Sequence, residues 1–358
     1  MQKAKPSAEQ LLYLEQSFNA IRDEVISDLG ERDAKYIHKI IRIQRSCEIS
    51  GRLLIMFGFN PIPWALGAML LGLSKILETM EIGHNVMHGQ YDWMNDPNIN
   101  SKTYDWDTAC PGESWKETHN HEHHTYTNIL GKDRDYGYDL LRLTHKEKWH
   151  PINVFQIVYY ALLSIFFQWG VALHELNFGG ILKREVSLKE KLPFLKQFGR
   201  KGARQIFKDY VFFPLIAGPF FLQVLLGNIV ANLIRNLWTS TIIFCGHFPE
   251  EVETFSIEEC ENETKGHWYY RQMLGSANFQ GSSLLHVLSG NLSFQVEHHL
   301  FPDLPAHRYA EISPKVQEIA KELGIPYHTG SFFKQYKGVV KRILVHSLPE
   351  PKAKLTTV

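Results

Sequence analysis

Four imidazoles stand within six residues of one another in the stretch THNHEHHTYTN, at His119, His121, His123 and His124. So many bases would repel one another if protonated, and near neutral pH they are best satisfied as neutral ligands of metal. On a helix His119 and His123 share a face, and His124 lies about 100° further round, able to serve a second, adjacent ion. His121 points away from that face. A second pair, His84 and His88 in HNVMHG, is spaced i, i+4, so both rings address one centre. A third set, in QVEHHLFP, places Gln295 one turn before the adjacent His298 and His299.

Either pair alone is ordinarily incidental; three such clusters in one chain are not. Two ions with roughly three or four protein ligands each would use the seven histidines of these clusters other than His121. None of Cys47, Cys110, Cys245 and Cys260 sits beside a cluster, which argues against structural zinc and iron–sulfur sites and leaves iron, copper or zinc. Glu81 with His84 and Glu147 with His150 spell E-x-x-H, but the soluble carboxylate-bridged pattern needs two further glutamates on facing helices and leaves the other clusters unexplained. Asp133 and Asp135 are of the type that orients a ligating imidazole through its other ring nitrogen. His145, His150, His174, His267, His286 and His307 are isolated and read as surface or core residues.

These clusters need elements to hold them. Charge-free windows run from Leu53 to Ser74, from Pro151 to Leu173 and from Tyr210 to Ile234, each near the ~20 residues that cross a bilayer. Mean hydropathy is nonetheless −0.22, so most of the chain lies in water. The basic run between Lys183 and Lys208 assigns that loop to the cytosol. With the histidines also cytosolic, the 151–173 window cannot cross, and the other two windows must be hairpins. One turns at NPIP, residues 60–63, with a first arm that is short or carries charges; the other breaks near Pro214, Gly218 and Pro219 or at Gly227. The expected fold is an all-α membrane protein of about four transmembrane helices, in two hairpins, plus interfacial helices carrying a helical cytosolic catalytic cap.

Ser7 and Gln10 form a capping box for an amphipathic helix with Leu11, Leu14, Phe18, Ile21, Val25 and Leu29 on one face, expected at the surface or the membrane interface. The expected organisation is an N-terminal amphipathic region over 1–45, a central domain over 46–330, and a C-terminal segment and tail over 331–358, unstructured after Ser347. The polar opening MQKAKPSAEQ is unlike a secretory signal. Net charge is zero, with 38 basic and 38 acidic side chains, so no long-range field recruits nucleic acid. Trp106, Trp115, Trp149 and Trp268 are positioned to line a tunnel or to anchor at an interface.

The segments HNVMH, HNHEHHTYTNILGKDRDYG and QVEHHLFPDLPAHRY resemble, in order, spacing and flanks, the three histidine boxes of the membrane fatty acid desaturase family, over roughly residues 50 to 330. The resemblance implies a di-iron site held by His84 and His88 from the first box, His119, His123 and His124 from the second, and Gln295, His298 and His299 from the third. A further histidine at the cytosolic end of the last membrane helix is matched by His247 in FCGHFPE. Gln295 stands where many members have histidine, a replacement found in front-end desaturases and some bacterial acyl-CoA desaturases. The family's water-bridging asparagine one turn before the extra histidine is replaced by Ile243, and Asn278 is the substitute the sequence offers.

The same resemblance implies the activity. An acyl chain loses two hydrogens to give a cis double bond, using two Fe ions, O2 and two electrons. No HPGG haem motif is present, so the electrons come from a separate ferredoxin, b-type cytochrome or flavin-dependent reductase. The substrate is acyl-CoA, whose phosphorylated headgroup the basic loop would meet, or a lipid-linked fatty acid. The expected location is the membrane, multi-pass, with the cap facing the cytosol. A membrane di-iron fatty acid or alkyl hydroxylase is the nearest alternative. A non-catalytic metal-binding or transport protein would instead set histidines within crossing helices.

Overall fold

The computed structural model describes residues 6–350. Residues 1–5 and 351–358, on which part of the polar opening and most of the expected tail fall, lie outside the described residues. Among the described residues the fold is helical, with a two-stranded parallel sheet, Asn278–Gln280 (β1) on Thr329–Ser331 (β2), and an isolated parallel bridge between Ile129 and Phe255.

The first helix, α1 (Ala8–Ser27), begins at the expected capping box: Gln10 N donates to Ser7 Oγ and Ser7 N to Gln10 Oε1. Its apolar face does not meet lipid. Leu14 and Phe18 are fully buried against Tyr269, Val296, Leu300 and Phe301, because the cap supplies an apolar partner within the protein.

The second and third helices, α2 (Glu31–Phe57) and α3 (Pro61–Ile76), form the first hairpin, turning over Gly58–Asn60 with Asn60 Oδ1 capping α3 at Ile62 N, 3.0 Å. As the placement of His84 required, the first arm carries charges: Arg42, Arg45, Glu48 and Arg52. Close approach depends on Gly67, where a Cβ would lie 2.8 Å from Ile55 N.

The second hairpin begins with α6 (Leu192–Ile206), continues through a π segment (Phe207–Phe212) and Phe213–Ile216, and turns at Gly218, φ +55°. Its return arm is α7 (Phe221–His247), which delivers His247. The two tips are tied side by side. Gln223 Nε2 donates to Ile55 O (2.6 Å) and Gly58 O (3.1 Å), and Trp64 Nε1 donates to Gln223 O (3.0 Å). Both tips present apolar surface, Ile62 80% and Leu222 63% exposed. A buried polar layer crosses the hairpins: Asp209 accepts from Lys75 at 2.7 Å and from Asn232 at 3.1 Å, and Asn232 in turn accepts from Arg235.

Between the hairpins, α4 (Gln156–Ile165) and α5 (Phe167–His174) meet at 104°. The bend is satisfied by Asn236, whose Nδ2 donates to Ile165 O at 2.8 Å. Among the described residues, one helix, Gly218–His247, is long and apolar enough to cross a membrane, or two if the bent pair counts as one span. The expected four are not met on length and composition, because each charge-free window is divided by its turn between two helices, and the arms α2 and α6 carry charges outside the windows. The cap is built from α8 (Lys265–Leu274), α9 (Gln295–Leu300), α10 (Tyr309–Glu322) and α11 (Phe332–Ser347). The last of these is docked through Arg342, which donates to Leu143 O at 2.7 Å.

Candidate metal centre

Two of the three histidine clusters are carried on π-helical segments, Leu77–His84 and Lys116–His123. Hydrogen bonding from i to i+5 widens the turn, so residues five apart come closer into line than on an α-helix. His124 therefore shares a side with His119 and His123: the 119–123 and 119–124 ring centroids are both 5.1 Å apart. Sequence periodicity alone, read as α-helical, puts His124 well off that face. His84 and His88 follow from the end of α3, rings 4.5 Å apart. The short helix α9 brings His298 and His299, and α7 brings His247.

The rings converge in two groups. His84, His88, His119 and His298 offer nitrogens within 4.8 Å of one another, as do His123, His247 and His299. His124 lies between, with centroids 4.8 Å from both His88 and His298 and 4.6 Å from His299. His121 is exposed and faces away.

Which nitrogen faces inward is set by acceptors behind the rings. The Nδ1–H of His119 donates to Asp135 Oδ2 (2.8 Å), that of His123 to Asp133 Oδ1 (2.9 Å), that of His84 to Asn85 Oδ1 (2.9 Å) and that of His299 to Gln272 Oε1 (3.0 Å). Fixing the proton on Nδ1 leaves the Nε2 lone pair free. The Nε2 atoms of His88, His119, His123, His124, His298 and His299 are buried without a hydrogen-bond partner. Buried polar atoms are rarely left so, and lone pairs converging from separate elements are satisfied by cations. For His88, His124, His298 and His299 the surroundings favour the neutral state. Burial, then neighbouring imidazoles, hold His88, His124, His298 and His299 well below the usual histidine range. At His123 burial also pulls down, but the Asp133 carboxylate outweighs it and the net direction is up.

His247 differs from the rest: Gln295 Nε2 lies 3.1 Å from its Nε2, and its Nδ1 is the unpartnered atom. Gln295 Oε1 is likewise buried and unpartnered, so the amide borders the second group. It is held close by Gly246, where a Cβ would lie 2.7 Å from Gln295 Oε1. Asn278 does not face the centre: its Nδ2 donates to Glu297 Oε2 (2.8 Å) and its Oδ1 accepts from Val296 N (2.8 Å), anchoring α9 instead. Neither E-x-x-H acid faces the centre either. Glu81 accepts from Tyr36 and Asn291, and Glu147 from Leu143 N.

Several contributors carried no local signal. Gln272, Thr127 and Tyr309 lie behind His299 and His298 but come from other elements. His174, read as isolated, approaches Asp135 Oδ1 at 3.3 Å and so stands behind His119. His307 is structural, paired with Asp33 at 2.9 Å.

A cavity runs from His84, His119, His123 and His247 between the π segment that follows α3, α5 and α7, past Thr79, Met80, Val171, Ile243 and Leu292. Trp106 and Trp115 line it; Trp149 instead donates to Ser347 O, and Trp268 to His124 O. A second cleft, lined by Arg45, Arg200, Lys201, Arg204 and Lys208 against Glu48, Glu78, Asp105 and Asp107 and so with a small basic excess, shares Trp106 with the cavity.

The family model described as fatty acid desaturase matches residues 60–331. The NADPH-dependent stearoyl-CoA 9-desaturase of Mycobacterium tuberculosis (strain ATCC 25618 / H37Rv) is 48% identical over 336 residues, 93% of this chain and 79% of that protein. The sn-1 linoleoyl-lipid 6-desaturase of Synechocystis sp. (strain ATCC 27184 / PCC 6803 / Kazusa) is 27% identical over 75% of this chain and 76% of its own. Human fatty acid desaturase 3 is 23% identical over 81% of this chain and 63% of its own.

Proposed function

The chain belongs to the fatty acid desaturase family, and we propose that it inserts a cis double bond into an acyl-CoA held in the cavity beside a pair of iron ions. The carrying observation is the convergence of six buried, unpartnered imidazole Nε2 atoms, with His119 and His123 among them lining one end of a largely apolar cavity. His84, His88, His119 and His298 would hold one iron and His123, His247 and His299 the other, with His124 between them and Gln295 at the border of the second.

Iron so held supplies the O2-dependent oxidation that takes two hydrogens from unactivated methylenes, chemistry beyond any acid or base side chain. The balance is R–CH2–CH2–R′ + O2 + 2e⁻ + 2H⁺ giving R–CH=CH–R′ + 2H2O. The chain's own residues do the rest. Met80, Val171, Ile243 and Leu292 exclude water and hold the acyl chain against the imidazoles, so that one methylene pair is presented. Asp133 and Asp135 keep the protons of His123 and His119 on Nδ1 throughout.

The basic cleft supports a phosphorylated headgroup. Lys201 and Lys208 are engaged by Asp105 and Asp107, while Arg45, Arg200 and Arg204 remain exposed at the cleft that adjoins the cavity at Trp106. The mycobacterial relative, named for stearoyl-CoA and position 9, supports the same substrate and position here. We place the two tied hairpins in the bilayer, with the cap and basic cleft on the cytosolic side.

The test is double-bond mapping by mass spectrometry in a host expressing the chain, with metal analysis of the purified protein. A 9-monoene and two irons per chain are expected. An alcohol product would favour a hydroxylase, and zinc alone with unchanged lipids would overturn the enzymatic reading.

A further inference from the structure

A third cleft opens on the cap, on a different side of the centre from the acyl cavity, and it reaches His124 from outside. The two cavities share no lining residue: the acyl cavity touches His84, His119, His123 and His247, whereas this cleft touches His124 and Asn120. Its wall is Trp268, whose Nε1–H donates to the carbonyl oxygen of His124 at 3.2 Å. The cleft thus reaches the backbone of the residue whose ring stands between the two histidine groups, 4.6 Å from His299 and 4.8 Å from both His88 and His298.

The charge of the cleft has a sign. Its acids are engaged by arginines, Asp303 by Arg22 at 2.5 Å and Glu263 by Arg271 at 2.7 Å. Its lysines are not in ion pairs among the described residues. Lys265 lies over the Trp268 ring at 3.6 Å and Lys132 over the Tyr126 ring at 5.0 Å, both lysines exposed. The rim is therefore aromatic with two unneutralised positive charges, a surface that favours an acidic partner and speeds its encounter.

We infer that this cleft is the docking surface of an acidic one-electron carrier protein, which delivers its electrons across Trp268 and His124. The inference rests on the desaturase reading, whose balance requires two electrons and two protons per O2 from outside the chain. The carrier is oxidised by one electron at each of two visits, while the acyl chain keeps the other cavity, so reductant and substrate need not compete for one opening.

The experiment compares two ways of reducing the iron-loaded full-length enzyme with stearoyl-CoA. In one, NADPH, a ferredoxin reductase and an acidic [2Fe–2S] ferredoxin drive turnover. In the other, dithionite reduces the enzyme before a single exposure to O2. Reversing both lysines, Lys132→Glu with Lys265→Glu, is expected to raise the KM for ferredoxin about tenfold or more and to flatten its salt dependence. The alkene yield of the pre-reduced single turnover stays at the wild-type level. The milder pair, Lys132→Gln with Lys265→Gln, falls between. An unchanged KM for ferredoxin, or equal loss in both assays, overturns the docking assignment. Failure of the pre-reduced wild-type enzyme to form alkene has a separate meaning, because it removes the desaturase reading itself and this inference with it.

Discussion

His123 and Asp133 form a buried pair, Nδ1–H to Oδ1 at 2.9 Å, and the same carboxylate also accepts the backbone N–H groups of Asn128 (2.7 Å) and Asp135 (3.0 Å). One side chain therefore fixes both the imidazole's tautomer and the turn beyond it. Asp133→Asn keeps the size but removes the charge and one acceptor. Iron occupancy or turnover is expected to fall about 10- to 100-fold, the usual cost of losing a partner behind a ligating histidine. Metal content by mass spectrometry alongside product formation checks this; full occupancy and activity would show that His123 needs no such partner.

Gly246 and Gln295 are matched in size. A methyl group on Gly246 would press on the Gln295 carboxamide at 2.7 Å and on its Cδ at 2.9 Å. Gly246→Ala is expected to lower turnover about tenfold by displacing the amide beside His247. Gly246→Ala combined with Gln295→Ala should recover part of that loss, since the clash is gone, and a double mutant that merely multiplies the two single effects would exclude contact as the cause.

Acid should loosen the metal-free protein. His88, His124, His298 and His299 are held well below the usual histidine value, mainly by burial, whereas in the unfolded chain they protonate near pH 6.5. Below that pH the unfolded state binds more protons, so stability is complete above about 6.5 and declines as pH falls toward the folded values. His123 has the opposite sign: its folded value is raised, so its contribution is present below about 6.5 and is lost as pH rises through the folded value. Four groups against one leave a net decline in acid. Melting of the detergent-solubilised apoprotein between about pH 8 and pH 5 is the measurement, and a Tm that holds or climbs in acid contradicts the burial argument.

Asn278 acts on the centre through α9. Asn278→Ala removes the carboxamide and so deprives Val296 N and the buried Glu297 of a partner each. A loss of about 1–3 kcal/mol per unsatisfied group is expected. Denaturation in the metal-free state reads it, and iron added at saturation should restore much of the Tm through binding to the folded form. No change in apoprotein stability would mean that α9 is held by other contacts.

The sequence was sufficient for everything that repeats over a few residues. Histidines at i, i+4 and in adjacent positions singled out the rings that converge, the flanks of the three clusters carried the family resemblance, and Ser7 with Gln10 fixed the start of α1. Asp133 and Asp135 were also legible, because they lie only ten and sixteen residues beyond the rings they orient. The tertiary structure decided what depends on residues far apart in the chain. It turned the apolar face of α1 toward the cap, set Gln272 behind His299 and Gln295 beside His247, and spent Asn278 on Glu297. It also set the i to i+5 bonding that draws His124 onto the same side as His119. A periodic pattern records which side of a helix is apolar or basic, but neither the hydrogen-bond register nor the identity of the surface it meets is written locally, since both are settled only when distant elements pack.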